Sequence, residues 1–145
     1  MATNFVFRPH GTFKTWVEDQ FLLTEVTGPW NVELVEYWSQ QALSLARQFS
    51  KDQPYVAITV VHESMLCSPE ALEKIAAATE YGERYLPCLG HCVVAAKEVD
   101  GREVVRYMYE KIRLEHIFED MDEAIRWANG LIKEDRAKQG QSSLM

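Results

Sequence analysis

The chain contains no run approaching the roughly 20 uninterrupted apolar residues that a membrane-spanning helix needs, because Asp, Glu, Lys or Arg interrupts every candidate stretch. It also lacks a basic cluster. Lys and Arg number 15 against 22 Asp and Glu, a net charge of -7, which argues against nucleic acid and anionic membrane surfaces as partners. The first residues show no basic lead, apolar run and small-residue cleavage site in succession, so no secretory signal is read and a cytoplasmic location is expected. Cysteine is scarce and odd in number: Cys67, Cys88 and Cys92 are expected as free thiols, not as a disulfide framework. Glycine-rich phosphate loops, dinucleotide fingerprints, nucleophile elbows and His-Glu-x-x-His pairs are all missing. No catalytic residue, cofactor or metal is assigned, and a non-enzyme is expected.

What is present is the signature of one α/β domain. At 145 residues the chain can bury roughly 68–70% of the surface its unfolded form exposes. No repeat or low-complexity linker divides it. The most informative stretch is 116–128, where an apolar strand-like step at Ile117 and Phe118 runs into an acidic turn and then a helix. Asp120 is placed to cap that helix, and Glu123 three residues on can reach back to the cap amide.

Upstream, residues 13–18 and 21–26 are rich in β-branched and aromatic side chains and read as a hairpin around Asp19-Gln20. After Gly28-Pro29, Asn31 can cap a helix whose apolar residues fall at Leu34, Val35, Trp38, Ala42, Leu45, Ala46 and Phe49, the helical period. The apolar run 55–61 suits a strand covered on both faces. Ser68 is a natural N-cap with Pro69 at the first helical position, opening a helix to about Arg84. Pro87 and Gly90 bracket the next break, and 92–96 reads as a second buried strand. Asp100-Gly101 is a hairpin signal, but Val104, Val105, Met108 and Ile112 lie at helical spacing, so 102–113 is read as helix in preference to a return strand. From Lys133 the residues turn polar. The expected organisation is an N-terminal extension at 1–12, a domain at 13–133 and a polar, frayed tail at 134–145.

Taken in order, the hairpin, Gly28-Pro29-Trp30-Asn31, the strand at 55–61, Ser68-Pro69-Glu70-Ala71, and Phe118-Glu119-Asp120 with Glu123, Ala124 and Trp127 resemble the SpoIIAA-like group of small domains. That group is related in fold to STAS domains, the sulfate-transporter and anti-sigma-factor-antagonist modules. The resemblance implies a single mixed β-sheet domain acting as a non-enzymatic protein-interaction or regulatory module. In STAS regulators the loop after the central strand leads to a helix that begins with a phosphorylatable serine. Here that place is filled by residues 62–69, with Ser64 and Ser68 as candidates, neither in Asp-Ser-Ser-Gly surroundings. The resemblance also supports an alternative, a small hydrophobic ligand or lipid binding protein of CRAL-TRIO-like architecture, with Met65, Tyr81, Tyr85 and Met108 turned into a cavity.

The candidate residues follow. Glu63, Ser64, Cys67 and Ser68 form an interaction or phospho-acceptor loop, Ser64 being the freer to be exposed and Ser68 first of all a cap. Tyr81, Tyr85, Tyr107, Met108, Tyr109 and Trp127 are ligand or partner aromatics with their methionine neighbour. Tyr107 and Tyr109 cannot share one helical face, so at least one is directed to solvent, a partner or a pocket. The expected partner is an unidentified protein or a small apolar ligand, with a homodimer through the same aromatic surface as a further expectation. Cys88, His91 and Cys92, with His62 and Cys67, are of the type zinc prefers, yet a single Cys-x3-Cys overlapping a buried strand points to buried free cysteine. A nucleophilic Cys67 or Cys88 would need His62, His91 or His116 as its base, and the spacing selects no pair.

Overall fold

A computed structural model describes residues 9–111 and 116–143. Most of the expected N-terminal extension and the end of the 102–113 helix, Ile112 included, lie outside the described residues. Five strands form one mixed sheet in the order β1-β2-β3-β4-β5. β1 (Thr12–Glu18) and β2 (Phe21–Thr27) pair antiparallel across Asp19-Gln20, and β2, β3 (Tyr55–His62), β4 (Cys88–Val94) and β5 (Ile117–Phe118) run parallel. Parallel neighbours need crossovers, supplied by α1 (Val32–Ala46), α2 (Pro69–Tyr85) and α3 (Arg102–Lys111).

Each crossover advances one strand in the same direction, and crossovers of one hand then lie on one face. Leu34, Val35, Leu72, Ile75, Val105 and Tyr109 accordingly share a core with Val26, Val61 and Val93. The last helix, α4 (Met121–Ser143), takes the other face, setting Ala124, Ala128 and Ile132 against Leu23, Val56, Ile58, Cys92 and Val94. The apolar run at 55–61 is thus the central strand covered on both sides, as its composition requires.

The expected caps are in place. Asn31 Oδ1 accepts from Leu34 N at 3.1 Å, Ser68 Oγ from Ala71 N at 3.1 Å, and Asp120 Oδ1 from Glu123 N at 2.9 Å. Gly28 lies so close to the Ser64 carbonyl that no Cβ fits between them, and Gly28 N donates to His62 O at 3.1 Å. This close approach ties the end of β2 to the end of β3.

Three boundaries differ from expectation, the first being that α1 ends at Ala46, so Phe49 lies beyond the helix and stacks on Tyr55. β4 begins at Cys88, so Gly90 is a strand residue and not a break. The register shifts between Tyr55 and Val56, which absorbs the irregularity, and Gly90 admits the side chains of Trp127 and Leu131 from α4. Residues 134–143 are helix, not a frayed tail. Their polarity reflects solvation of a helix that overhangs the sheet, with two anchors. Arg136 Nη2 donates to Gln20 Oε1 at 2.7 Å, and Gln139 Nε2 donates to the Lys51 carbonyl at 2.8 Å. In the described part of 102–113 the helical reading holds, with Asp100-Gly101 making the turn into α3.

Candidate functional site

α1 and α2 meet over the sheet through small residues: Ala42 and Ala46 on one side, Ala78 and Gly82 on the other. Side chains of that size leave space between a helix pair and its sheet. A groove of about 370 Å³ opens there, floored by Leu22, Tyr55 and Ala57. A second cavity, of about 50 Å³, is walled by Trp30, Val61, Val93 and Tyr109, and Trp38 and His91 line both spaces.

Strand alternation turns Thr24, Thr59 and His91 toward this side. The Trp38 indole N–H donates to Thr24 Oγ1 at 3.0 Å, Thr24 and Thr15 hydroxyls are 3.0 Å apart, and Thr15 donates to the Leu23 carbonyl at 2.9 Å. Since Thr15 spends its proton on Leu23, Thr24 donates to Thr15, and both threonine hydroxyls are satisfied. His91 is different. Its Nε2 lies 3.1 Å from Thr59 Oγ1, but its Nδ1 is buried without a hydrogen-bond partner. The residue is only 8% exposed, and burial pushes its pKa down to about 4, so the ring is neutral at physiological pH. Among the described residues the other buried orphan is the Trp30 indole N–H. It offsets part of the effect of burial on the Cys67 thiol but makes no hydrogen bond of good geometry to it.

The expected loop follows β3 directly. Glu63 and Ser68 are exposed, Cys67 is half-buried, and Ser68 is occupied as the α2 cap. Ser64 corrects its expectation: it is buried, and its Oγ accepts from Leu66 N at 3.1 Å in a tight turn, so its hydroxyl is not presented to solvent.

The expected aromatic set divides over several surfaces. Tyr81 and Tyr85 pack against each other on α2 with their rings tilted and centroids 5.1 Å apart, and are 42% and 67% exposed. Tyr107 is 62% exposed on α3 whereas Tyr109 is buried, as their spacing demanded. Trp127 lies across the sheet on α4, where it contacts His116 and Phe118. Of the four residues expected to turn into a cavity, only Tyr81 lines the groove. Met65 is fully buried in the core, Met108 packs half-buried against it, and Tyr85 points outward.

Among the described residues no Cys–His hydrogen bond forms. His62 pairs instead with Glu25 Oε1 at 2.6 Å, and Cys88 Sγ approaches the Gly90 carbonyl. Burial pushes the Cys67 and Cys88 thiols up to about 11 and Cys92 to about 12, which keeps all three protonated. No three His, Cys, Asp or Glu side chains cluster as a metal site among the described residues. No described helix is long and apolar enough to cross a membrane.

No family model matches the chain, and no curated protein matches it. A solved structure described as "The overall structure of SLC26A9" is similar, with a TM-score of 0.55 at 10% identity over 91% of this chain and 26% of that one. The fold is STAS-like. At that identity the likeness speaks to architecture alone, and this chain spans about a quarter of the length of the protein it matches.

Sequence reasoning passed over the polar strand residues that line the small cavity, of which His91 also lines the groove. His91 entered only as a metal or base candidate, and Thr24 and Thr59 not at all. The signal that could have found them is polarity out of place: a Thr or His inside a buried apolar strand must find a partner or line a space.

Proposed function

We propose that the protein is a non-enzymatic cytoplasmic interaction or regulatory module that docks a partner protein through the loop at 63–68 and the adjoining start of α3. One observation carries this reading: Leu66 is 40% exposed on a loop that is otherwise pinned. Met65 N donates to Asp100 O at 2.8 Å, Asp100 N to Glu63 O at 2.9 Å and Trp30 N to Leu66 O at 3.3 Å, while the Leu66 side chain covers Gly101. An apolar side chain held out on a rigid loop has little freedom left to lose on docking. Glu63 and Ser68 supply a polar rim, and α3 adds the exposed Tyr107.

The test is a photo-crosslinking side chain at position 107, compared in cells with and without Leu66→Asp. The expected result is a discrete adduct that Leu66→Asp abolishes while the melting temperature stays unchanged. An adduct with a second copy would identify a homodimer. Adducts that survive Leu66→Asp would exclude this surface.

A second reading, binding of a small apolar ligand by an architecture related to CRAL-TRIO domains, is favoured by the groove between α1 and α2. Its volume of about 370 Å³ lies within the range of small-molecule sites, roughly 300–1,000 Å³.

A further inference from the structure

The sheet ends on one side in a strand that lacks most of the usual edge protections. β1 runs for 7 residues in unbroken register against β2, with no proline and no bulge, and among the described residues no strand pairs with its other edge. The ladder decides which backbone groups face outward. Gln20 O accepts from Val56 N across to β3, so Phe21 and every second residue after it turn to β1, as the Leu23 carbonyl does toward Thr15. Their partners Glu18, Trp16, Lys14 and Thr12 spend their N–H and C=O groups on β2. The open edge therefore carries the backbone groups of Phe13, Thr15 and Val17. Phe13, Trp16 and Val17 are half-buried there, leaving part of each apolar side chain uncovered. Lys14 and Glu18 are exposed on the Trp16 face, with Lys14 Nζ 5.5 Å from the centroid of the Trp16 ring. Neither forms an ion pair among the described residues.

We propose that the β1 edge pairs antiparallel with the β1 edge of a second copy of this chain, about a two-fold axis beside Trp16. A two-fold interface must be complementary to itself, and this strand is. With Trp16 opposite its own copy, Thr15 stands opposite Val17 and Lys14 opposite Glu18, each pairing repeated by the symmetry. Thr15 and Val17 both face outward, so their N–H and C=O groups meet and bond. Lys14 and Glu18 meet as opposite charges and the indoles meet at the axis, cross-strand pairs of the kind that stabilise a sheet. A slip of one residue would set the outward groups against groups already bonded to β2, and a slip of two would part Lys14 from Glu18. Charge and hydrogen bonding thus select one register. The inference goes beyond the docking proposed at 63–68 and uses none of its residues.

Sedimentation velocity of the full chain at about 100 μM, above a dissociation constant in the micromolar range, should show a dimer. Lys14→Glu and Glu18→Lys should each raise that constant about tenfold, because each sets like charges opposite one another at both symmetric positions. An equimolar mixture of the two variants should return to the native value. One chain is then negative at both 14 and 18 and the other positive at both, so every facing pair attracts. Lys14→Glu also stands across from Glu25 within its own sheet, whereas Glu18→Lys faces Phe21 and is free of that intrachain effect. In the dimer the amides of Thr15 and Val17 should exchange with solvent more slowly than in dilute protein. A native monomer at this concentration, a dimer that Glu18→Lys leaves unaltered, or a mixture no tighter than its components would overturn the proposal. So would Thr15 and Val17 amides already protected in the dilute monomer, which would mean that the edge is covered within the chain.

Discussion

The two faces of the sheet are packed by different means. Against α4 the contact is dry and close: the buried cluster there is wholly apolar, and a Cβ added at Gly90 would stand 2.9 Å from Leu131 Cδ1 and 3.1 Å from a Trp127 ring carbon. Against α1 and α2 the strands present Thr24, Thr59 and His91, the helices approach through alanine and glycine, and two cavities remain. One face maximises packing. The other gives up contact and leaves space together with an unpartnered buried polar atom.

The sharpest way to break this contrast is to delete equal volume on each side. Ile58→Ala removes a fully buried side chain from the α4 face and should cost about 2–5 kcal/mol, toward the upper end, by urea denaturation. Ile75→Ala, beside the small cavity, should fall nearer the lower end. Equal costs would mean that the two faces are packed alike.

Acid should act next, and through the polar face. The folded pKa of His91, about 4, lies below the ordinary histidine value of 6.5, so the unfolded chain binds a proton that the folded one refuses. The associated stability is complete above pH 6.5, falls as pH drops toward 4, and changes no further below that. The loss is on the order of 3 kcal/mol. His91→Phe should flatten this part of the stability profile, and a profile identical to that of the native protein would remove His91 as its source.

Gly90→Ala probes the close face directly. The added methyl group must displace Leu131 or Trp127, and a drop of about 1–3 kcal/mol is expected from thermal or chemical melting. An unchanged midpoint would show that α4 can shift. The smallest effect belongs to Ser68→Ala, which removes the α2 cap and should cost about 1 kcal/mol. If the same variant lost a partner while keeping its stability, Ser68 would have a role beyond capping.

Much of the architecture was legible in the residues because it rests on local rules. Asn31, Ser68 and Asp120 cap where their side chains imply, and the run at 55–61 is central because only a strand covered twice can be apolar throughout. What escaped depended on contacts distant in sequence. Gly90 reads as a break until a helix some 40 residues on is seen to fill the space above it, and residues 134–143 read as a tail until Gln20 and Lys51 are seen to hold them. The site was harder still. The burial of Ser64 and the orphaned Nδ1 of His91 follow from how loops and helices meet, not from the residues beside them.

The anchors on α4 also carry a kinetic consequence. Gln20, at the first turn, is gripped on one side by the Pro54 carbonyl and on the other by Arg136, which lies 116 residues later in the chain. During synthesis Leu23, Val56, Ile58, Cys92 and Val94 therefore leave the ribosome before the helix that covers them. The nascent sheet passes through a stage with one apolar face bare, and its completion waits on a contact of high sequence separation, the slow kind. For this protein the hazard of aggregation, and the opening for a chaperone, is concentrated in the interval before its last helix arrives.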